Sequence, residues 1–325
     1  MNPFRYERAQ SGAAAIAATQ HDGDARFVAG GTNILDLMKI HVEAPSLLVD
    51  INRLPLSKIE LRGDSVHIGA LARLNDIAAH PVVRQAFPMV AIALEQSASP
   101  QLRNMASMGG NLLQRTRCAY FRDVAAPCNK RAPGSGCGAI GGENRMEAIL
   151  GTSEQCIATH ASDVAVPLVA LDAVVNVAGP QGSRSIVLSD FYRLPGATPH
   201  LETVLVHGEL ITGLSVPVLP FAARSTYLKV RDRAQYEFAL GSAAVALDIE
   251  GGTIRQARLA LGGVGTVPWR SRAAERDLTG APATRPAFER AAEAALTGAR
   301  GYGMNDFKIA LAKRTLVRAL EMVAA

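Results

Sequence analysis

The chain lacks several features that assign proteins to broad classes. Among its 325 residues there is one tryptophan, Trp269, and no cysteine outside residues 118–156. No apolar run approaches the roughly 18 residues of a membrane-spanning helix. The longest, residues 164–171, is interrupted by Pro167. The opening residues, MNPFRYERAQ, contain no apolar signal-peptide core. We therefore expect neither a membrane span nor a secretory signal in this chain.

Concentrated charge is also missing. Lysine and arginine number 34 against 29 acidic residues, which gives a net charge of +5, but no basic tract is present. Without a motif to accompany it, this charge favours a partner surface or general solubility, and we expect no nucleic-acid binding. The length predicts two or three domains. The PVLP stretch at residues 217–220 is the best boundary, and it separates domains at 1–218 and 222–325.

Hydrophobic periodicity predicts mixed helices and strands. An alanine-rich helix capped by Ser11 is expected to run to Gln20. Residues 251–252, a glycine pair, predict a hairpin turn between two strands of the C-terminal domain. A final helix is expected at about residues 306–323. We expect its basic face to be solvated, and that face comprises Lys308, Lys313, Arg314 and Arg318.

Two stretches rich in glycine are candidate ligand-binding loops. The first glycine loop, AGGTN at residues 29–33, lies between a predicted strand and a predicted helix. Glycines there let backbone amides approach an anion such as a pyrophosphate. The second glycine loop, ASMGGN at residues 106–111, would clamp a dinucleotide from the other side, with Ser107 supplying a hydroxyl. The first loop alone also fits an ordinary strand-to-helix turn, because it is neither GxGxxG nor a Walker loop. Asp163 fits either a sugar-hydroxyl acceptor or a helix cap.

All four cysteines lie in one stretch with the spacing Cys-x9-Cys-x8-Cys-x18-Cys. Four thiolates satisfy either zinc or an iron–sulfur cluster, and neither CxxC knuckles nor a ferredoxin run is present. An even number of cysteines also allows two disulfides. The spacing therefore leaves cluster, zinc and disulfides open. Nearby cations favour a negatively charged cluster, namely Arg115, Arg117, Arg122, Lys130, Arg131 and Arg145.

Taken in order, several motifs make the chain resemble the FAD-binding medium subunit of the xanthine dehydrogenase class of molybdenum hydroxylases. The motifs are AGGTN (29–33), IGAL (68–71), LRN-x4-GGN (102–111), SD (162–163), YLKVRDRAQYEFAL (227–240) and ALGGVGTVPWR (260–270). Within this family, GGNLLQRTRC-x9-CNKR-x-PGSGC is similar to the bacterial periplasmic aldehyde oxidoreductase group. That group carries a [4Fe-4S] insert, which would occupy about residues 115–157 here. Met108 stands where the family more often has isoleucine.

The resemblance implies an α+β protein. A two-subdomain FAD-binding domain of the vanillyl-alcohol oxidase (PCMH) type would precede a smaller α+β domain of the CO dehydrogenase flavoprotein C-terminal type. The predicted FAD-binding residues are Arg26, Phe27, Val28, Ala29, Gly30, Gly31, Thr32, Asn33, Ile34, Ser107, Gly110, Asn111, Asp163 and Lys229. The predicted cluster ligands are Cys118, Cys128, Cys137 and Cys156.

The resemblance further implies an electron-transfer subunit without catalytic side chains of its own. A molybdopterin-binding large subunit would oxidise an aldehyde to the carboxylic acid. Electrons would pass through [2Fe-2S] clusters of a small subunit to the FAD here, and then to an acceptor protein or small molecule. Co-export with a signal-bearing partner would place the complex in the periplasm, the alternative being the cytoplasm. The rival functions are a stand-alone flavin oxidase and a zinc- or disulfide-stabilised partner-binding module.

Overall fold

The computed structural model describes residues 1–325 and begins with a small parallel sheet. Ser11 caps the first helix, and its Oγ accepts from the amide of Ala14 at 3.1 Å, as the sequence predicted. The central strand of the sheet, β3, is buried along its whole length because strands pair with both its edges and its side chains pack into apolar clusters on both faces. The elements are β1 (Arg5–Arg8), α1 (Gly12–Gln20), β2 (Arg26–Val28), α2 (Ile34–Lys39) and β3 (Leu47–Asp50).

A five-stranded antiparallel sheet forms the second part of the N-terminal region, with the order β4-β5-β8-β6-β7. Short helices cover it, and their apolar faces join the largest buried core of the molecule. The strands are β4 (Ile59–Arg62), β5 (Ser65–Gly69), β6 (Val174–Gly179), β7 (Gly182–Val187) and β8 (Leu210–Pro217). The helices are α3 (Leu74–Ala79), α4 (Pro81–Ala86), α5 (Pro88–Glu95), α6 (Pro100–Met105), α7 (Met108–Leu112), α8 (Ala119–Arg122), α9 (Ala165–Ala170) and α10 (Leu188–Phe191).

The C-terminal region begins with a 3-10 helix at Pro220–Ala223 and contains a four-stranded antiparallel sheet. Gly251 and Gly252 have φ of +57° and +77° and form the predicted hairpin turn. Three helices pack on one face of this sheet around a second apolar core. The elements are β9 (Ser225–Val230), β10 (Gly241–Glu250), β11 (Thr253–Gly262), β12 (Trp269–Arg270), α11 (Arg272–Leu278), α12 (Arg285–Ala295) and α13 (Phe307–Ala324). The expected α+β fold class is confirmed. None of the helices is both long enough and apolar enough to cross a bilayer.

The cysteine segment, residues 115–157, is mostly irregular and is bound to the C-terminal region. Asn144 Nδ2 donates to the carbonyl of Tyr302 at 2.9 Å, and Asn305 Nδ2 donates to the carbonyl of Glu147 at 3.2 Å. Lys308 Nζ donates to the carbonyls of Met146, Glu147 and Gly263 at 2.8, 3.1 and 2.9 Å. Lys308 has no exposed surface, so the expectation that it belongs to a solvated basic face is wrong.

Candidate functional site

A cleft of about 700 Å³ opens between the two glycine loops. Its walls also include the start of the cysteine segment and residues 233–238 of the C-terminal region. The structure thus brings together most of the residues predicted to bind FAD. Those that line the cleft are Arg26, Phe27, Ala29, Gly30, Gly31, Thr32, Asn33, Ile34, Ser107, Gly110, Asn111 and Asp163. Val28 and Lys229 are buried and do not line the cleft.

The first glycine loop requires its glycines for two different reasons. A Cβ on Gly30 would overlap the carbonyl of Met105, so only glycine permits the two loops to touch here. Gly31 has φ of +73°, a conformation that other residues rarely adopt. Asn33 Oδ1 accepts from the amide of Arg115 at 3.1 Å, whereas its Nδ2 is buried without a partner. A bound group with acceptor oxygens would satisfy that donor.

The second glycine loop is stiffened by its own side chains. Ser107 Oγ accepts from the amide of Gly110 at 3.3 Å and so caps α7. Asn111 Oδ1 accepts from Ser162 Oγ at 2.6 Å, which joins this loop to the chain beside Asp163. The hydroxyl of Ser107 keeps its hydrogen for a ligand acceptor. The loop therefore presents backbone amides and a hydroxyl on a fixed frame.

Asp163 is a buried carboxylate held by two side chains of β9. Its Oδ2 accepts from Lys229 Nζ at 2.8 Å, and its Oδ1 accepts from the Tyr227 hydroxyl at 2.7 Å. Burial raises the pKa of Asp163, whereas Lys229 and Tyr227 act against that rise. Because each carboxylate oxygen has a further lone pair, Asp163 can still accept from a sugar hydroxyl. Lys229 also donates to the carbonyl of Gln96 at 3.2 Å, so its visible role is to hold Asp163.

Sequence analysis missed arginines of the cysteine segment as cleft residues. Arg117 and Arg122 line the cleft. Arg117 donates to Asp36 at 3.2 Å, and Arg122 donates to Asp36 through two nitrogens, at 2.8 and 3.0 Å. The Arg117 guanidinium lies 5.3 Å from the ring centroid of Phe238, which comes from the C-terminal region. The high density of arginines in the cysteine segment could have indicated an anion-binding wall. From the sequence, these cations were interpreted only as stabilising a cluster at the cysteines. The cysteine segment therefore also forms part of the cleft wall.

The four cysteines belong to one packed group with Phe121 and Ile157. All four are free, so the structure contains no disulfide. Cys128 and Cys137 face each other in an antiparallel bridge, and burial raises the pKa of Cys156 to about 11. No group of three or more potential ligand side chains is arranged to hold a metal ion. The side-chain geometry alone thus provides no metal centre.

His160, which does not line the cleft, behaves as a structural residue. His160 Nδ1 accepts from the amide of Ser162 at 3.3 Å, and the ring packs edge-on against Tyr192 at 4.5 Å. Burial lowers the pKa of His160 to about 4. The imidazole is therefore neutral near neutral pH, which fits a packing role better than proton transfer.

Comparison with known proteins agrees with this geometry. The family described as "FAD binding domain in molybdopterin dehydrogenase" matches residues 2–219, and the family described as "CO dehydrogenase flavoprotein C-terminal domain" matches residues 226–323. The cleft also fits FAD, because about 700 Å³ of space lies between the two glycine loops and the Asn33 side-chain amide on its wall lacks a partner. The chain belongs to the FAD-binding medium subunits of the xanthine dehydrogenase and CO dehydrogenase family, whose members are parts of oxidoreductase complexes.

Individual relatives match the chain over most of its length. It is 48% identical over 323 residues to the aldehyde oxidoreductase FAD-binding subunit PaoB of Escherichia coli K12, with 98% of each chain covered. It is 30% identical to the glyceraldehyde dehydrogenase medium chain of Sulfolobus acidocaldarius, over 85% of this chain and 81% of that one. A solved structure of carbon monoxide dehydrogenase from Hydrogenophaga pseudoflava superposes with a TM-score of 0.77 at 28% identity, covering 99% of this chain and 98% of that chain.

Proposed function

We propose that this chain is the FAD-binding electron-transfer subunit of a molybdenum-dependent aldehyde oxidoreductase. The observation that carries the proposal is the cleft between the two glycine loops, with its unpartnered Asn33 amide. The aldehyde as substrate class is supported by the 48% identity to the aldehyde oxidoreductase subunit. Electrons would enter from [2Fe-2S] clusters of a small partner subunit and leave to an external acceptor.

The residues of the chain bind and orient the cofactor. Gly30, Gly31, Thr32, Ser107 and Asp163 line the cleft. Amides of the first glycine loop and the Ser107 hydroxyl would hold the pyrophosphate, and Asp163 would accept from sugar or ribityl hydroxyls. FAD, when bound, supplies the exchange between two-electron and one-electron transfer. Oxidation of the aldehyde itself belongs to a molybdopterin-binding large subunit. No side chain of this chain is needed as an acid, base or nucleophile.

We further propose that Cys118, Cys128, Cys137 and Cys156 bind a [4Fe-4S] cluster. Support comes from their free thiols and from their common packed group. Such a cluster, held by the four thiolates, would act as a one-electron carrier. Loading would have to bring the four thiolates into ligand geometry, since the packed arrangement holds no metal-ligand set.

The proposed complex contains three kinds of subunit and is located in the periplasm. A large subunit would carry molybdopterin and a small subunit would carry the [2Fe-2S] clusters. A signal on a partner would export the folded complex, because cofactors are inserted before export. Fractionation of cells that produce all subunits tests the location, and activity confined to the cytoplasm would contradict it.

Purification with and without the partner subunits tests the function. We expect flavin absorption and about four non-[2Fe-2S] irons per chain, with aldehyde oxidation only in the complex. Flavin without iron removes the cluster, and zinc in its place supports the zinc module. Absence of flavin contradicts the whole proposal, and aldehyde oxidation by the isolated chain indicates a stand-alone oxidase.

Single Cys→Ser variants examine the cluster separately from the flavin. Cys137→Ser should lose iron and keep FAD, because no cysteine lines the cleft. Ala125→Ser is the matched control, since it places a hydroxyl at an exposed position of the same segment. It should retain both cofactors. Full iron content in all four Cys→Ser variants would show that these residues are not the ligands.

A further inference from the structure

A chain of hydrogen bonds crosses the point where the two glycine loops touch. Gly30 packs directly against the carbonyl of Met105. Arg73 Nη1 donates to that same carbonyl at 2.5 Å, and Arg73 Nη2 donates to Asn52 Oδ1 at 2.8 Å. Asn52 Nδ2 then donates to the carbonyl of Ala29 at 2.9 Å. Arg73 and Asn52, which we call the loop strap, therefore connect the carbonyls on the two sides of the contact.

Both members of the loop strap are fixed by their surroundings. Asp50 Oδ1 accepts from the amide and from Nδ2 of Asn52, at 2.9 and 2.7 Å. The two hydrogens of that side-chain amide are thus used by Asp50 and Ala29. The backbone of Arg73 forms an antiparallel bridge with Ser107 in the second glycine loop. The loop strap is consequently anchored to β3 at one end and to the second loop at the other.

We propose that Arg73 and Asn52 are positioning residues that set the separation of the glycine loops and thereby the affinity for FAD. Neither side chain lines the cleft, so any effect must act through the loops. A planar guanidinium can donate to Met105 and Asn52 at the same time, which a lysine ammonium on a flexible stem does poorly. Loops that are already held at the correct separation lose little conformational entropy when a ligand binds, so the affinity is higher.

The test measures FAD affinity in the full chain. Arg73→Met, Asn52→Leu and the double variant are compared with the wild type by the recovery of free-flavin fluorescence on dilution. We expect each single change to raise the Kd for FAD about tenfold or more. The double variant should add little, because either change already breaks the same chain of bonds. The visible circular dichroism of bound flavin should change in all three.

Two further variants separate positioning from charge and from general effects. Arg73→Lys keeps the charge and should still weaken FAD binding, whereas wild-type affinity in this variant would show that charge alone acts. Arg84→Met is the matched control, since Arg84 also donates to one carbonyl, Ala78 at 3.3 Å, and one side chain, Glu95 at 2.6 Å, away from the cleft. It should leave the Kd unchanged.

The melting temperature of the FAD-free chain distinguishes a loosened cleft from a damaged fold. We expect the Asn52→Leu chain without FAD to melt only slightly below the wild-type chain without FAD, because Asn52 is exposed and its backbone amide still donates to Asp50. Wild-type FAD affinity in the single variants, or fully additive losses in the double variant, would overturn the proposal. Asn52→Leu keeps the test decisive if Arg73→Met does not fold.

Discussion

Lys308 is a lysine whose side chain is buried in the protein and hydrogen-bonded there instead of to water. Its ammonium donates to three backbone carbonyls, and burial lowers its pKa to about 7. The periodicity of α13 suggested a basic face because charged residues recur along the helix. It did not reveal Lys308 as a core residue, since its acceptors lie 45 to 162 residues away in the chain.

Replacing Lys308 should therefore be costly. We expect Lys308→Met to lower the free energy of unfolding by about 2–4 kcal/mol, because buried carbonyl oxygens lose their donor. Urea denaturation measures the change. Lys313→Met is the control, since Lys313 is partly exposed and pairs with Glu293, and it should stay within about 0.5 kcal/mol of the wild type. Equal effects of the two changes would contradict the buried role.

Asp50 gives a pH-dependent prediction. Burial alone would raise its pKa, but hydrogen bonds from Tyr6, Asn52 and Arg8 outweigh burial and lower the pKa from 3.8 to about 2. A carboxylate with a lowered pKa stabilises the folded state above its unfolded pKa, and this contribution is lost as the pH falls through the folded pKa. We expect the difference in unfolding free energy between the wild type and Asp50→Asn to shrink as the pH falls from 3.8 towards 2. A difference that stays constant over this range would refute the assignment.

At the scale of elements, the contact between the first glycine loop and the residue before the second depends on Gly30. Gly30→Ala should push the loops apart, because the new Cβ would overlap the Met105 carbonyl. We expect FAD affinity to fall about tenfold or more. Gly12→Ala offers a matched control in α1, since nothing lies within 4 Å of the added Cβ. That change should leave FAD binding unaltered and preserve or slightly increase stability. Flavin titration measures both, and tight binding by Gly30→Ala would show that the loops can separate freely.

Elements with a local signal were predictable from sequence. The Ser11 cap and the glycine turn at residues 251–252 each depend on neighbours within four residues, and both are confirmed. The start of α3 at Leu74 had no such signal, because it depends on the pairing of Arg73 with Ser107 in the second glycine loop. Short helices such as α6 and α7 gave too few turns for a periodic pattern. The position of β8 between β5 and β6 had no local signal.

The candidate site also contains features that the sequence predicts and features that it does not. Motifs placed most of the predicted residues on the cleft wall, because the loops they describe are continuous in sequence. The ion pair between Asp163 and Lys229 joins residues 66 positions apart, so sequence suggested both residues but not their contact. The loop strap was missed for a related reason. Arg73 and Asn52 act on backbone carbonyls, which carry no residue-type signal.

At the scale of the whole molecule, Arg270 is one of several residues that connect the two regions. The Arg270 side chain is 4% exposed, donates to Glu275 through two nitrogens, and reaches Asp172 at 2.6 Å across the boundary. Arg270→Met would remove the nearest cation of buried Glu275, which would keep only the Arg272 guanidinium at 3.5 Å and the amide of Leu259 at 3.0 Å. We expect a loss of about 2–3 kcal/mol in unfolding free energy. Arg255→Met, which removes an exposed pair with Glu250, should change it by less than about 0.5 kcal/mol. Denaturant titration compares them, and equal losses would contradict this role of Arg270.

The attachment of the cysteine segment to residues 302–308 also has a consequence for biosynthesis. Asn144 and its acceptor at Tyr302 are separated by 158 positions. At ribosomal rates of about 5–20 residues per second, this separation corresponds to roughly 8 to 30 s. During that interval the donors of Asn305 and Lys308 have not yet been synthesised. The segment therefore reaches its final conformation only after the sequence that binds it has been made.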